Sequence, residues 1–337
     1  MQNVAVVILN FNGKDFLNEF LPIVIQNTPH TARIIVADNH SMDGSILYLQ
    51  ENFPTVQIIS LPANYGFAKG YNKALSQIEA EYFILLNSDV EVTPNWLEPL
   101  IDQLANPNVA ACQPKILSYH RKEYFEYAGA AGGFIDSFGY PICRGRVISN
   151  LEKDDGQYDD HSKIFWASGA CMAIKSKLFH KVRGFDDDFF AHMEEIDLCW
   201  RLQLAGHEIV YTSESVVYHI GGGTLSATNP FKTYLNFRNG LAMVFKNLPQ
   251  ENFIPKIFFR LVLDGIAGLG YLAKGQFGNF LAVIKAHFSF YGQLKSLIQK
   301  RNQVKKITIN KSNLATIIPK SLIWEYLKKS SLKFSDL

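Results

Sequence analysis

Four short stretches hold side chains whose type and spacing could do chemistry. In Leu85-Leu-Asn-Ser-Asp89 an apolar run ends on a carboxylate. Hard divalent cations take oxygen ligands, often one or two carboxylates with phosphate oxygens completing the shell, so Asp89 is a candidate metal ligand as well as a candidate turn or cap. Ala191-His-Met-Glu-Glu-Ile-Asp-Leu-Cys-Trp-Arg201 crowds Glu194, Glu195 and Asp197 at the start of an amphipathic helix. The helix dipole alone favours acids there. Asp197 and Arg201 fall four apart and pair on one face, so Glu195 points elsewhere, and a carboxylate at a helix start beside a pocket suits a general base toward a hydroxyl. Asp38-Asn-His-Ser-Met-Asp-Gly-Ser45 begins with an acid that can accept from a base N–H or a ribose hydroxyl, or cap the next helix as Asp43-Gly44 does. His219-Ile-Gly-Gly-Gly-Thr224 sets a histidine before glycines that let backbone approach a ligand. His219 either shares a cation with Asp89 or is a satisfied core histidine.

The elements that must position these groups alternate. Val4–Leu9, Arg33–Ala37, Val56–Ser60 and Tyr82–Leu86 are apolar, β-branched runs of the kind buried on both faces of a sheet. Between them run helical stretches over Lys14–Gln26, Gly44–Glu51 and Phe67–Glu79, and a further helix is expected over Pro94–Leu104 with Thr93 as its N-cap. This alternation implies βαβ units and a mainly parallel sheet flanked by helices. Ligands of such sheets bind outside the carboxyl ends of the strands. The segments there, Asn10–Gly13, Asp38–Ser45, Pro62–Asn72 and Asn87–Asp89, are dense in Asp, Asn and Gly. The middle, about 116–163, reads as connecting hairpins and a mobile loop, with the acidic run Glu152–Asp160 as solvated surface. Order returns at Phe165–Ile174.

With 337 residues, 47% of them hydrophobic, the chain is globular. Its charge is divided. Residues 1–229 carry 16 Lys+Arg and 27 Asp+Glu, net −11, and residues 230–337 carry 17 and 4, net +13. An acidic body with a basic tail suggests that the tail meets something anionic. Cys112, Cys143, Cys171 and Cys199 match no zinc spacing. They read as small packed hydrophobes in a reducing cytoplasm. The N-terminus reads as a first strand, not a signal peptide.

Taken in order, Val6-Val-Ile-Leu-Asn-Phe-Asn12, Val36–Ser45, Asn64-Tyr-Gly-Phe-Ala-Lys-Gly-Tyr-Asn72, Leu85–Asp89, Gly184-Phe-Asp-Asp-Asp-Phe-Phe190, Glu194–Arg201 and His219–Thr224 resemble glycosyltransferase family 2, in its rhamnosyltransferase-like bacterial branch. The likeness covers about 4–240. It implies a GT-A fold, that is, a Rossmann-like α/β catalytic domain over 1–229 with a helical C-terminal extension over 230–337. It implies an inverting, metal-dependent transfer of a sugar from a nucleoside diphosphate sugar to an acceptor hydroxyl, in assembly of cell-surface polysaccharide or O-antigen.

The resemblance also implies roles. Asp38 contacts the base, aided by Asn10 and by the loop carrying Asn64, Gly70 and Asn72. Asn87 and Asp89 stand where the family has its D-x-D motif, with Asp89 and His219 holding Mg²⁺ or Mn²⁺. Glu195 stands at the catalytic base, with Glu194 as rival, and Trp166 and Glu194 lie on the acceptor side. Two positions depart: Asn87 replaces the first acid of D-x-D, and Glu195 stands where aspartate is commoner. Read as decay, these departures give the alternative of a sugar-nucleotide-binding or scaffold protein. A sugar-phosphate nucleotidyltransferase would want a glycine-rich basic loop after the first strand, which Asn10-Phe-Asn-Gly13 is not.

The uncharged runs within Phe253–Phe290 are too short to span a bilayer. Aromatic and aliphatic residues mixed with Lys and Arg suggest helices at a membrane surface, the alternative being ordinary helices packed on the catalytic domain with a basic outer face. The expected partners are therefore a nucleoside diphosphate sugar, a glycan or lipid-linked saccharide acceptor and an anionic membrane surface, with no nucleic acid. The expected location is cytoplasmic, at the inner face of the plasma membrane.

Overall fold

The computed structural model describes residues 3–221, 229–249, 251, 253–309, 314, 316–329 and 331–337. The first half runs β1 Val4–Asn10, α1 Lys14–Asn27, β2 Ala32–Asp38, α2 Ser45–Asn52, β3 Gln57–Ser60, α3 Gly66–Leu75, β4 Tyr82–Asn87, β5 Val90–Val92, α4 Glu98–Ala105 and β6 Val109–Ser118. Short strands β7 Gly133–Asp136, β8 Pro141–Cys143, β9 Arg146–Val147, β10 Asn150–Leu151 and β11 His161–Ile164 follow. Then come β12 Cys171–Lys175, α5 Ser176–Lys181, α6 Glu194–Leu204 and β13 Glu208–His219. The tail is α7 Pro230–Asn247, α8 Phe253–Ala273, α9 Phe277–Gly292, α10 Leu294–Ile307, β14 Ile317–Ile318 and α11 Leu322–Lys328.

The main sheet has nine strands in the order β11-β13-β6-β12-β4-β1-β2-β3, with β5 paired to β13. From β4 to β3 every pairing is parallel, and β12 joins β4 and β6 antiparallel. Strand β1 shows why the sheet sits at the centre. Ala5 and Val7 belong to one apolar core, and Val4, Val6 and Ile8 to another. Successive side chains point to opposite faces, and both faces are covered.

Three expectations are corrected. The helix expected over Pro94–Leu104 begins at Glu98. Thr93 does not cap it: its hydroxyl donates to the Val216 carbonyl at 2.8 Å, and Val90–Val92 is a strand on β13. The helix expected to reach Glu79 ends at Leu75. The acidic run is more than solvated surface. Asp154 and Asp159 pair with Lys115, whose side chain is 7% exposed, and Asp160 takes a two-pronged contact from Arg144. The middle also forms a second sheet, β10-β9-β8-β7-β14, in which β14 comes from the far end of the chain and pairs parallel to β7.

The basic tail starts at α7, where the Asn229 side chain accepts from the Phe231 amide. Helix α7 packs against α6, α8, α9 and α10. The carboxylate of Asp136 accepts from the amides of Phe138, Tyr140 and Leu322, which ties α11 to the second sheet.

Candidate active site

The carboxyl ends of β1 and β2 form one polar corner. The Asn10 amide donates to Asp38 Oδ1 and to Ser41 Oγ, both at 3.1 Å, and the Ser41 amide donates to Asp38 Oδ2 at 2.9 Å. Asn10 and Asp38 are buried, and Asn10 Oδ1 has no hydrogen-bond partner. A Cβ on Gly13 would come within 2.5 Å of that oxygen, so the approach of backbone there requires glycine.

Asn39 fixes the next loop. Its amide nitrogen donates to Asn64 Oδ1 and to the Gly66 carbonyl, both at 3.0 Å, and its oxygen accepts from the Tyr65 amide. Gly66 has φ +74°, and a Cβ there would meet the Phe190 carbonyl oxygen at 2.4 Å. Phe67 donates its amide to that same carbonyl at 2.7 Å. Gly70 lies where a Cβ would press on Leu9 and on the Asn39 amide at 3.2 Å. Asn72 commits its side chain to the 184–190 loop: it donates to the Phe185 carbonyl and to Asp187, and accepts from the Phe185 amide. Asn39, Gly66 and Asn72 thus join the start of α3 to the loop that leads into α6.

A third group gathers at the ends of β4 and β13. His219 Nε2 lies 3.2 Å from Asp89 Oδ1 and 3.5 Å from the Asn87 amide nitrogen. On its other side, Nδ1 lies 3.2 Å from Glu126 Oε2, off the line of a good hydrogen bond. Burial works against a charged imidazole, but the carboxylates of Glu126 and Asp89 outweigh it and raise the His219 pKa to about 10. Burial likewise opposes the Asp89 carboxylate, and His219 overcomes it and draws its pKa below the ordinary value. Among the described residues no three His, Cys, Asp or Glu side chains form a ready cation cage. A divalent ion that takes its other ligands from phosphate would have to displace the proton that His219 holds against Asp89, after which one carboxylate oxygen and one imidazole nitrogen would fit it. The glycines at 222 and 223 and Thr224 lie outside the described residues.

The fourth group is the start of α6. Consecutive residues His192 and Met193 hold φ of 70° and 72°, a left-handed conformation that costs a non-glycine residue about 1–3 kcal/mol. Of the three acids that follow, Asp197 is spent. It is fully buried, accepts from Arg201 Nε at 2.9 Å and from the Asn247 amide at 2.8 Å, and lies 3.0 Å from Lys246 Nζ. Glu194 and Glu195 are different. Each has a buried Oε2 with no partner. Burial pushes the Glu195 carboxyl up to about 7. Burial first, then the neighbouring Glu195 and Asp197, push Glu194 well above the carboxylate range. No hydrogen bond joins either glutamate to the Asp89–His219 group.

Trp166 is 4% exposed. Its indole donates to the Phe134 carbonyl at 2.9 Å, and its ring lies where any Cβ on Gly133 would stand. It braces β7 in this structure. A cavity of about 140 Å³ behind α6, lined by Trp200, Leu204, Ile317 and others, contains none of the candidate residues. Sequence reasoning passed over Asn39 and Glu126. Asn39 stood in a quoted motif, beside the more conspicuous Asp38. Glu126 stood in an irregular stretch with no spacing signal.

Residues 5–183 match the family model described as Glycosyl transferase family 2. The chain is 24% identical over 231 residues to the N-acetylglucosaminyl-diphospho-decaprenol L-rhamnosyltransferase of Mycobacterium tuberculosis, covering 64% of this chain and 75% of that protein. It is 25% identical over 217 residues to the rhamnosyltransferase WbbL of Escherichia coli K12, covering 62% and 80%. Among solved structures it is similar to GalNAc-T7 with UDP, GalNAc and Mn²⁺, with a TM-score of 0.63 at 15% identity, over 98% of this chain and 57% of that one. This last likeness is one of fold.

Proposed function

The chain belongs to glycosyl transferase family 2 and is a glycosyltransferase with a GT-A fold, and from that premise we propose that it is an inverting, metal-dependent enzyme that moves a sugar from a nucleoside diphosphate carrier to an acceptor hydroxyl. The observation that carries the reading is the pair of unpartnered buried carboxylate oxygens on Glu194 and Glu195, beside a fully paired Asp197. Buried polar atoms are normally hydrogen-bonded, and an orphan carboxylate with its pKa near neutrality suits a base awaiting a proton.

In this reading Asp38, with Asn10 behind it, receives the base of the carrier, and Asn64 and the start of α3 border the nucleoside, with Gly70 and Asn72 shaping that border from within the helix. Asp89 and His219 would hold Mg²⁺ or Mn²⁺, which would offset charge on the diphosphate. Glu195 takes the proton from the acceptor hydroxyl while that oxygen attacks the anomeric carbon on the face opposite the leaving nucleoside diphosphate. One displacement inverts the centre. Glu194, which holds its proton more firmly, lines the acceptor side.

The two relatives named as rhamnosyltransferases support L-rhamnose as the sugar and assembly of cell-surface polysaccharide as the setting. The first, named for a decaprenol-linked substrate, supports a lipid-linked saccharide acceptor. The basic tail supports work against an anionic membrane at the cytoplasmic face, and no helix of the described residues is long and apolar enough to cross a bilayer.

The test is calorimetric titration with UDP and with dTDP, each with and without Mn²⁺, followed by transfer assays on the carrier that binds. Metal-enhanced binding and sugar turnover are expected. A folded protein that binds neither nucleotide would favour the rival, a decayed sugar-nucleotide scaffold.

A further inference from the structure

Helices α8 and α9 form a hairpin whose outer face is apolar over its whole length. On α8 the large side chains at 254, 258, 259, 262, 266, 269 and 272 are all exposed, Ile254 at 78%. On α9 Phe277, Leu281, Ile284, Phe288 and Tyr291 are exposed, Phe288 at 73%. No charged residue occupies an exposed position of α8, and Lys285 is the one that does on α9. Contiguous exposed apolar surface of this extent marks an interaction site. The two helices pack closely, since a Cβ on Gly268 would just touch Val283 and Phe280.

The charges that the sequence places on α8 face the body. Arg260 and Asp264 are buried. Arg260 Nε donates to Asp264 Oδ1 at 3.0 Å, Tyr140 donates to the same oxygen at 2.6 Å, and Arg260 also reaches the Phe138 carbonyl. His287 of α9 lies 3.6 Å from Asp264 Oδ2. The polar side of the hairpin is therefore its anchor to the second sheet, and the apolar side is left outward.

We propose that the α8–α9 face inserts into the acyl region of one membrane leaflet, lying flat, so that the protein is held by apolar burial and not by charge alone. Lipid is the occupant because the surrounding charge is of one sign. Asp264 is the sole acid between residues 252 and 324, and it is buried, while Lys274 at the hairpin tip, Lys285 and the exposed Lys295, Lys305 and Lys306 of α10 are available to meet anionic headgroups. A helix of 21 residues, roughly 30 Å long at 1.5 Å per residue, matches an interfacial segment. This inference rests on the membrane part of the proposed function and changes its mode from adsorption to insertion.

The test is flotation of the full chain with phosphatidylcholine vesicles and with vesicles containing phosphatidylglycerol, at low salt and at about 1 M NaCl, where the screening length is only about 3 Å. Insertion predicts that anionic vesicles retain most of the protein in high salt. It predicts that Phe258→Glu with Phe288→Glu lowers partitioning at least about tenfold, with an unchanged far-UV spectrum and melting temperature. It also predicts that Phe258→Trp is quenched by lipids brominated on the acyl chain. Binding that high salt strips, with the double variant binding as well as the parent, would overturn insertion and leave adsorption standing. No binding to any vesicle would overturn both. A dimer that Phe258→Glu dissolves, without vesicle binding, would assign the face to a second copy and overturn the proposal.

Discussion

The side-chain amide of Asn239 donates to the carbonyl oxygen of His192 at 2.8 Å, and the same nitrogen reaches the Ala191 carbonyl at 2.9 Å. Asn239 is fully buried and sits on α7, whereas His192 is the first of the two left-handed residues that turn the chain into α6. A helix of the basic tail therefore holds the strained turn that presents Glu194 and Glu195. Asn239→Ala takes the donor from two half-buried carbonyls, at up to about 1–3 kcal/mol, and should lower the melting temperature. Because the turn carries the proposed base, kcat should fall on the order of 10- to 100-fold while the KM for donor changes little. A larger effect on donor KM than on kcat would count against this placement.

What the sequence made legible follows from locality. Strands β1, β2 and β4 announce themselves because burial on both faces leaves runs such as Val4–Leu9, and the rule that ligands bind at strand ends then picks out the loops. The start of α4 was misread because Thr93-Pro94 has the local form of a cap, while the Thr93 hydroxyl is claimed by Val216 on a distant strand. The second sheet was illegible as a sheet: its strands are two to four residues long, and β14 reaches β7 from the other end of the chain. Arg260 and Asp264, four apart, have the pattern of a solvent-facing pair, and only packing against Tyr140 turns them inward. Glu126 and Asn239 act through tertiary contacts alone.

Lys246 is the next point of weakness. Its side chain is 3% exposed, and the ammonium contacts the Asp186 carboxylate and lies 3.0 Å from Asp197, while Lys300 of α10 also pairs with Asp186. Burial opposes the Asp186 charge, and the two lysines overcome it and hold its carboxyl far below the usual range. Lys246→Met takes one of two lysines from Asp186 and one of three partners from Asp197, leaving Lys300 on the first and Arg201 and Asn247 on the second, and should lower the melting temperature without unfolding the protein. A folded pKa below the unfolded 3.8 means that the stability Asp186 supplies is present above pH ~4 and lost as pH falls below it. The wild type should therefore lose melting temperature below pH 4, and an acid titration of Lys246→Met should show a flatter curve.

At the metal-binding end, Asp89→Asn should abolish the enhancement of nucleotide binding by Mn²⁺, read by calorimetry, while nucleotide alone still binds. Glu126 stands behind His219, 3.2 Å from its Nδ1, as carboxylates do behind metal-binding histidines. Glu126→Gln should weaken Mn²⁺ about 10- to 100-fold with less effect on metal-free nucleotide. If Asp89→Asn titrates like the parent with Mn²⁺, the cation is held elsewhere.

Glu195→Gln separates function from stability. As the proposed base, Glu195 should contribute about 10²–10⁴-fold, so kcat should fall by that order with donor affinity retained. Near-normal turnover would move the role to Glu194. The pH dependence has a definite sign. With its carboxyl raised to about 7 from an unfolded value of 4.5, the folded state keeps a proton that the unfolded chain has already released. Folding stability should therefore fall as pH rises from about 4.5 to about 7 and level off above. Activity should move the other way, rising through pH 7 as the base is freed. The side-chain amide that Glu195→Gln introduces carries no charge to bury. The variant should match the wild type in melting temperature near pH 4 and exceed it at pH 8, where the parent holds a buried carboxylate with an unpartnered oxygen. A variant less stable than wild type at pH 8 would mean that the Glu195 charge is supported by the fold, and the stability cost of the proposed base would have to be sought at Glu194.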